Sequence, residues 1–396
     1  MKRFYKYSIL FIIGISVCPT GCTVPFEPPG VKDTGGILVV EGMILEKGTT
    51  VKLSRTAGIY TESDPGMKYV YNADIKVIDD ANNIVAVAEL QNNYGTAGSV
   101  YKVIDEITFT PETKYALLIQ IGEKKYQSSF VSPVMTPEID EITWKQNDDR
   151  SMDIMVSTHD PEGKVAYYCW TFEEDWEYRA QEYGTYRYEP TTGEIIEQSI
   201  FSSADNRYYC WDSDKSKSII VGASDKLTET TIKNRVIHNF PSNNSRFSYL
   251  YSIFVKQYAI DKETYTYFDN LKKNIEQSGS LFGPMLSEIR GNITCLSDPD
   301  EPVLGYIFAS SEVSSRFYID MEKIDGEDIY NCNRNEQGYV VTYRFTASEL
   351  EYAYRLGLGI HYELMGMYYC LQIKCLDCTL RGGTKNKPDF WPNDHL

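Results

Sequence analysis

The densest chemistry in the sequence lies between residues 170 and 178, where Glu173, Glu174, Asp175 and Glu177 are interleaved with Trp170, Phe172, Trp176 and Tyr178. Two carboxylates flanking a glycosidic bond would make a glycosidase, and aromatic rings stack on sugars. A strand end with solvated acids around a half-buried aromatic strip gives the same pattern, and this plainer reading is the one expected. Asp298-Pro299-Asp300-Glu301 offers oxygen ligands to calcium. It lacks the EF-hand loop spacing, and as a turn between strands it needs no ion. His159-Asp160 stands next to Pro161 and Gly163, the composition of a turn rather than of a catalytic pair. The nucleophile elbow, the H-E-x-x-H zinc motif, the Walker A loop and the dinucleotide fingerprint are absent. The expectation is a protein with no catalytic residue, no metal and no cofactor.

Beyond Cys18 and Cys22 stand seven cysteines: Cys169, Cys210, Cys295, Cys332, Cys370, Cys375 and Cys378. Seven is odd, so at least one stays free or pairs between chains. Cys375-Leu376-Asp377-Cys378 is a lone CxxC. Zinc would need two more ligands, and redox work would need a βαβ setting, so structural disulfides or free thiols are expected. Tyr167-Tyr168-Cys169-Trp170 and Tyr208-Tyr209-Cys210-Trp211 repeat one tetrapeptide. Either the repeat is accidental, or two strands pair there and Cys169–Cys210 is a disulfide. The disulfide candidates are Cys169, Cys210, Cys375 and Cys378.

The elements that must position these residues are mostly strands. Residues 1–21 read as a signal peptide, with Lys2, Arg3 and Lys6 ahead of a short apolar run from Ile9 to Val17. Pro19-Thr20-Gly21-Cys22 resembles a lipobox, which makes Cys22 the lipidation site and the first mature residue. Residues 22–36, rich in Pro and Gly, read as a lipidated tether. Short alternating strands with turn signals then predict an antiparallel, Ig-like β-sandwich domain over 37–131. A larger β-rich α+β domain over 138–396 follows, with one or two helices. Its best helix is Asp261 to Ser278, with Asp261 as N-cap and Tyr265, Phe268, Leu271 and Ile275 on one face. A second covers Ser348 to Leu356. Residues 183–215 read as a long loop or irregular hairpin. The fold class is mainly β.

Composition narrows the function. The 396 residues carry 56 acids against 39 Lys+Arg, a net charge of −17, and removal of the signal takes it to −20. Nucleic-acid binding and polybasic attachment to anionic lipid are disfavoured. Tyrosine, at 32 residues, suits strands and contact surfaces.

A family resemblance emerges from particular segments. Leu38-Val39-Val40-Glu41-Gly42, Tyr267-Phe268, Asn274, Glu276, Gly279-Ser280-Leu281-Phe282, Gly291-Asn292-Ile293 and Val303-Leu304-Gly305-Tyr306 occur in order. Cys375 to Thr379, Gly382-Gly383-Thr384 and Lys387-Pro388-Asp389-Phe390-Trp391-Pro392 continue them. Together they resemble the Bacteroidota lipoproteins grouped as domain of unknown function 4249, over essentially the whole mature chain. The resemblance implies an outer-membrane, lipid-anchored protein that acts as a non-enzymatic accessory or ligand-capture partner of a TonB-dependent transporter. A surface adhesin or envelope assembly factor is the first alternative, and a glycan-active enzyme around the 173–177 acids is the second. Trp170, Trp176, Tyr178, Phe390 and Trp391 are the candidate ligand or partner contacts, because Tyr and Trp concentrate binding energy.

Overall fold

The computed structural model describes residues 36–56, 68–91, 99–110, 112–199, 206–224, 230–242, 244–277, 289–320, 332–335 and 338–392. Cys22, the signal and nearly all of the tether lie outside them. Strands dominate, as the alternation predicts, with two α-helices among the described residues.

The first sheet opens with β1 (Leu38–Leu45), β2 (Thr50–Arg55), β3 (Lys68–Tyr69), β4 (Ala73–Asp79), β5 (Ile84–Leu90), β6 (Ser99–Val103), β7 (Tyr115–Ile121) and β8 (Lys124–Ser128). Its hydrogen-bonded order is β8-β7-β4-β5-β6-β2-β1, antiparallel throughout. On β4, Ile75 and Val77 are buried, while Asp74 and Lys76 face outward; the pleat sends successive side chains to opposite faces. Leu38, Val40, Leu53, Leu117 and Tyr126 join them in one core.

The second half supplies β9 (Ile139–Gln146), β10 (Met152–His159), β11 (Tyr167–Arg179), β12 (Tyr186–Glu189), β13 (Glu194–Glu197), β14 (Tyr209–Lys215), β15 (Ile220–Ala223), β16 (Thr231–Phe240) and β17 (Leu250–Ile260). Helix α1 (Lys262–Gln277) follows, and the Asp261 carboxylate accepts the Thr264 amide at 2.7 Å, as an N-cap should. Tyr265 and Phe268 pack inward, but Ile275 points to solvent. Next come β18 (Ile293–Cys295), β19 (Val303–Leu304), β20 (Ala309–Ser310) and β21 (Glu312–Asp320). A five-stranded sheet, β14-β11-β17-β21 with β15 also on β11, packs on the three-stranded β16-β10-β9. Residues 183–215, expected to be irregular, contain the β12–β13 hairpin and β14.

Residues 293–310 return to the first sheet. β18 pairs with β8, and β19 and β20 run parallel to β1, so segments from far along the chain cover both edges. The return requires Gly305, whose φ is +134° and whose added Cβ would lie 2.1 Å from the Val40 carbonyl oxygen. Asn292 fixes the same join, its amide donating to the Ile307 carbonyl at 2.7 Å and accepting the Ile307 N–H at 2.8 Å.

The chain ends with β22 (Tyr343–Phe345), α2 (Leu350–Arg355), β23 (Leu358–Leu364) and β24 (Met367–Gln372), a small sheet ordered β22-β24-β23. One face buries Ile360 and Cys370, with Phe345 and Tyr368 half-buried beside them, against α2 and the β12–β13 hairpin.

Candidate functional site

β11 carries all four acids and three of the proposed contact aromatics, and its pleat decides where each goes. Trp170, Phe172, Glu174, Trp176 and Tyr178 share the face that packs on β10 and β16. Glu173, Asp175, Glu177 and Arg179 share the other. A carboxylate on the core face needs a cation and hydrogen bonds to remain ionised. Glu174, buried, receives Arg246 through a short ion pair and the Tyr251 hydroxyl at 2.7 Å. Arg246 also reaches Asp214 at 3.1 Å and lies 4.5 Å over the Trp176 ring. Burial, then the Glu174 charge, pushes the Tyr251 phenol well above its usual value, so it stays a donor.

On the other face Glu177 is buried between the Arg179 guanidinium at 2.9 Å and the Trp391 indole N–H at 3.1 Å. Asp175 pairs with Arg316 at 3.2 Å; burial raises its carboxyl and Arg316 opposes the rise. Arg316 also donates to Ser252 at 2.8 Å and is stacked between Phe390, at 3.5 Å, and Phe254, at 4.9 Å. Glu173 meets Lys256 at 2.8 Å near solvent. Glu174 and Glu177 therefore lie on opposite faces of one sheet, each held by an arginine, and cannot flank one glycosidic bond. The expected solvated acids are a correction as well, because Glu174 and Glu177 are buried.

The proposed contact aromatics are corrected in the same way. Trp170, Trp176, Tyr178 and Trp391 are buried core residues, and Phe390 alone is exposed, at 42%. Trp170 faces the core at an even position of β11 and donates its N–H to Gln257 at 2.8 Å. Trp391 belongs to a C-terminal strap that crosses the outer end of β11. It packs on Trp211 and Leu250, while Tyr318 donates to the Phe390 carbonyl at 2.9 Å. Tyr178 anchors the start of that strap, donating to the Cys378 carbonyl and accepting the Gly383 amide at 2.6 Å. A Cβ at Gly383 would meet the Tyr178 hydroxyl at 2.2 Å, so only glycine fits.

The cysteines pair differently from the tetrapeptide reading. β11 and β14 do pair, but their register sets Cys210 opposite Tyr178, far along the strand from Cys169. Cys210 bonds Cys378, Cys332 bonds Cys375, and Cys169 is a free thiol, as are Cys295 and Cys370. The CxxC thus ties two different segments, 210 and 332, to one short turn. Beside the second bridge is an open polar cleft of about 470 Å³, lined by Cys332, Asn333, Arg334, Gln372 and Lys374.

The remaining candidates are structural too. His159 Nδ1 meets Asp140 at 2.8 Å, while the Asp160 carboxylate accepts the Glu162, Lys164 and Val165 amides of its own turn. Glu301 accepts from Lys124 at 2.5 Å and from Tyr126 at 2.9 Å, which docks the Asp298 turn onto β8. Among the described residues no cluster of three or more His, Cys, Asp or Glu is placed to hold a metal.

Sequence reasoning missed the outer face of the small C-terminal sheet. Tyr362 and Tyr369 stack there with ring centroids 4.7 Å apart, and Leu364 and Met365 project at the β23–β24 turn. The Leu364-Met365-Gly366-Met367 turn, apolar where hairpins favour Asn-Gly, was the available signal.

The quoted family segments now have physical roles. Val39, Gly291, Asn292, Val303 and Gly305 join the returning chain to the first sheet, and Gly383 and Trp391 seat the strap. Comparison with the curated proteins found no match. A family model described as Domain of unknown function (DUF4249) matches residues 23–316, so the match stops before the strap and the disulfide-tied C-terminal sheet. With most of its length matched, the chain belongs to the DUF4249 family.

Proposed function

We propose that this chain is an outer-membrane lipoprotein of Bacteroidota, acylated on Cys22, that works without catalysis as an accessory or ligand-capture partner of a TonB-dependent transporter. The observation that carries its export is the pair of disulfides, Cys210–Cys378 and Cys332–Cys375, because such bonds persist in oxidising compartments outside the cytoplasm. The lipobox-like Gly21-Cys22 after a short apolar run supports the anchor. The non-catalytic part is supported by the acids of β11, which are occupied in holding the sheet and the strap.

The test is purification of the tagged, acylated chain from envelopes in mild detergent. A TonB-dependent receptor should co-purify. Reproducible absence of any outer-membrane receptor refutes the partnership, and turnover of a glycan panel that is lost on Glu173→Ala would favour the enzymatic reading instead.

A further inference from the structure

We propose that the β23–β24 hairpin tip docks shallowly into the surface of a lipid bilayer, a contact that rests on the Cys22 anchor reading and adds a second membrane element to it. The argument starts at the turn. Met365 is 93% exposed, the most exposed large apolar side chain among the described residues, and Leu364 beside it is 52% exposed. Met365 and Gly366 both have positive φ, +52° and +77°, the sign pattern of a type I′ turn. Asn or Asp is favoured at the first of these positions, and methionine is sterically uncommon there. The sequence thus accepts backbone strain and a loss of solubility together at one residue, which points to a use for the side chain.

Among the described residues, the face behind the turn is only partly covered: Arg344, Tyr362 and Leu364 are exposed, and Met367 and Tyr369 are half-buried. Leu364 is opposite Met367, and Tyr362 and Arg344 are both opposite Tyr369, so these five share one face of the sheet. Nearer its base, Leu371 on this face is packed under the Cys332–Cys375 bridge. Leu364, Met365 and Met367 join no apolar cluster of the described residues.

Polarity is graded along the hairpin in the order of a bilayer interface. Aliphatic Leu364, Met365 and Met367 stand at the tip, the Tyr362–Tyr369 stack one rung behind, and Arg344 opposite Tyr369 on the neighbouring strand. Hydrocarbon accepts the first, the headgroup boundary accepts phenols, and phosphates accept guanidinium. Glu363 bounds the depth: its carboxylate accepts the Gly366 amide at 2.5 Å within the turn, and a charge there allows only interfacial immersion.

Charge makes this end the one able to approach headgroups. Residues 332–396 hold seven Lys+Arg and seven Asp+Glu, whereas residues 22–331 carry the whole −20. A tether over residues 22–36, at most about 50 Å when fully extended, confines the folded chain to the vicinity of the membrane, so weak immersion of the tip suffices.

The test uses the mature chain, residues 22–396 with Cys22→Ala, made without signal or lipid. It is sedimented with vesicles of phosphatidylethanolamine containing a minority of phosphatidylglycerol. The chain should co-sediment, and Leu364→Asp with Met365→Asp should lower the partition coefficient roughly 10- to 100-fold. Asp tolerates positive φ, so the fold survives, and an unchanged urea midpoint verifies it. The Met365→Trp chain should show a blue shift of its emission, beyond that of wild type, when vesicles are added. A wild-type chain that stays in the supernatant, a double variant that binds equally, or a Met365→Trp chain whose emission ignores vesicles overturns the proposal. Tip-dependent dimerisation in place of lipid binding does so too. No receptor is present in the vesicles, so failed capture of a transporter leaves this result standing, and the reverse also holds.

Discussion

Trp391 separates two contributions that hold the C-terminal strap on β11. Its indole is buried against Trp211, Leu250 and Tyr318, and its N–H donates to the buried Glu177 carboxylate at 3.1 Å. Trp391→Phe keeps most of the ring area and removes the donor. A hydrogen bond to a charged group is worth about 1.5–3 kcal/mol; Arg179, also on Glu177, holds the loss to the lower part of that range. Trp391→Ala adds the loss of packing, and burial of a Trp side chain brings the total to about 3–5 kcal/mol. Glu177→Gln keeps an acceptor and removes the charge, so the double variant Trp391→Phe/Glu177→Gln should cost less than the two singles together. Urea unfolding under non-reducing conditions gives the midpoints, and limited tryptic cleavage after Lys385 reports strap release. A Trp391→Phe chain as stable as wild type, additive with Glu177→Gln, would refute the claim that a buried carboxylate anchors the strap.

A non-reducing peptide map should recover Cys210–Cys378 and Cys332–Cys375, and a recovered Cys375–Cys378 loop would contradict the fold of this end. In the same experiment Cys169 and Cys370, whose thiols burial pushes up to about 12, should resist alkylation at neutral pH until denaturant is added. Asp214 is held below the usual carboxylate range, first by Lys217, with Arg246 adding to it. Its native value is below the unfolded one, near 3.9, so its stabilisation is present above that range and is lost as pH falls through the native value. The stability gap between wild type and Asp214→Asn should therefore close on acidification, and a gap independent of pH would refute the assignment. Gly305→Ala should cost at least about 1–3 kcal/mol from the positive φ alone, with the Val40 clash adding more; an unchanged urea midpoint would show that the returning segment is not seated on β1 as described.

Much of the fold was legible because period-two alternation survives in strands with one buried face. Ile75 and Val77 on β4, and Met152, Ile154 and Val156 on β10, read correctly from spacing alone. Helix α1 was legible from Asp261 and the Tyr265–Phe268 face, although Ile275 continues the apolar period into solvent. The short helix over 348–356 was visible too, as a 3-10 turn running into α2. The site was harder. Parity along β11 places Glu174 with Trp170, Phe172 and Trp176, which marks it as buried, yet the density of acids argued for solvent. Trp391 and Glu177 are 214 residues apart, and no local pattern announces such a bond. Cys210–Cys378 is equally non-local, and the matching tetrapeptides drew attention to the wrong partner. Strands as short as β18 and β19 carry too few residues for alternation to register, so the return of 293–310 to the first sheet was not visible.

The partnership with a transporter is most directly tested in living cells. Envelopes cross-linked before lysis, and this chain then purified under denaturing conditions, should give a species of combined mass that contains peptides of a TonB-dependent receptor. Cross-links confined to the chain itself, or to partners that include no transport barrel, would contradict the proposed function.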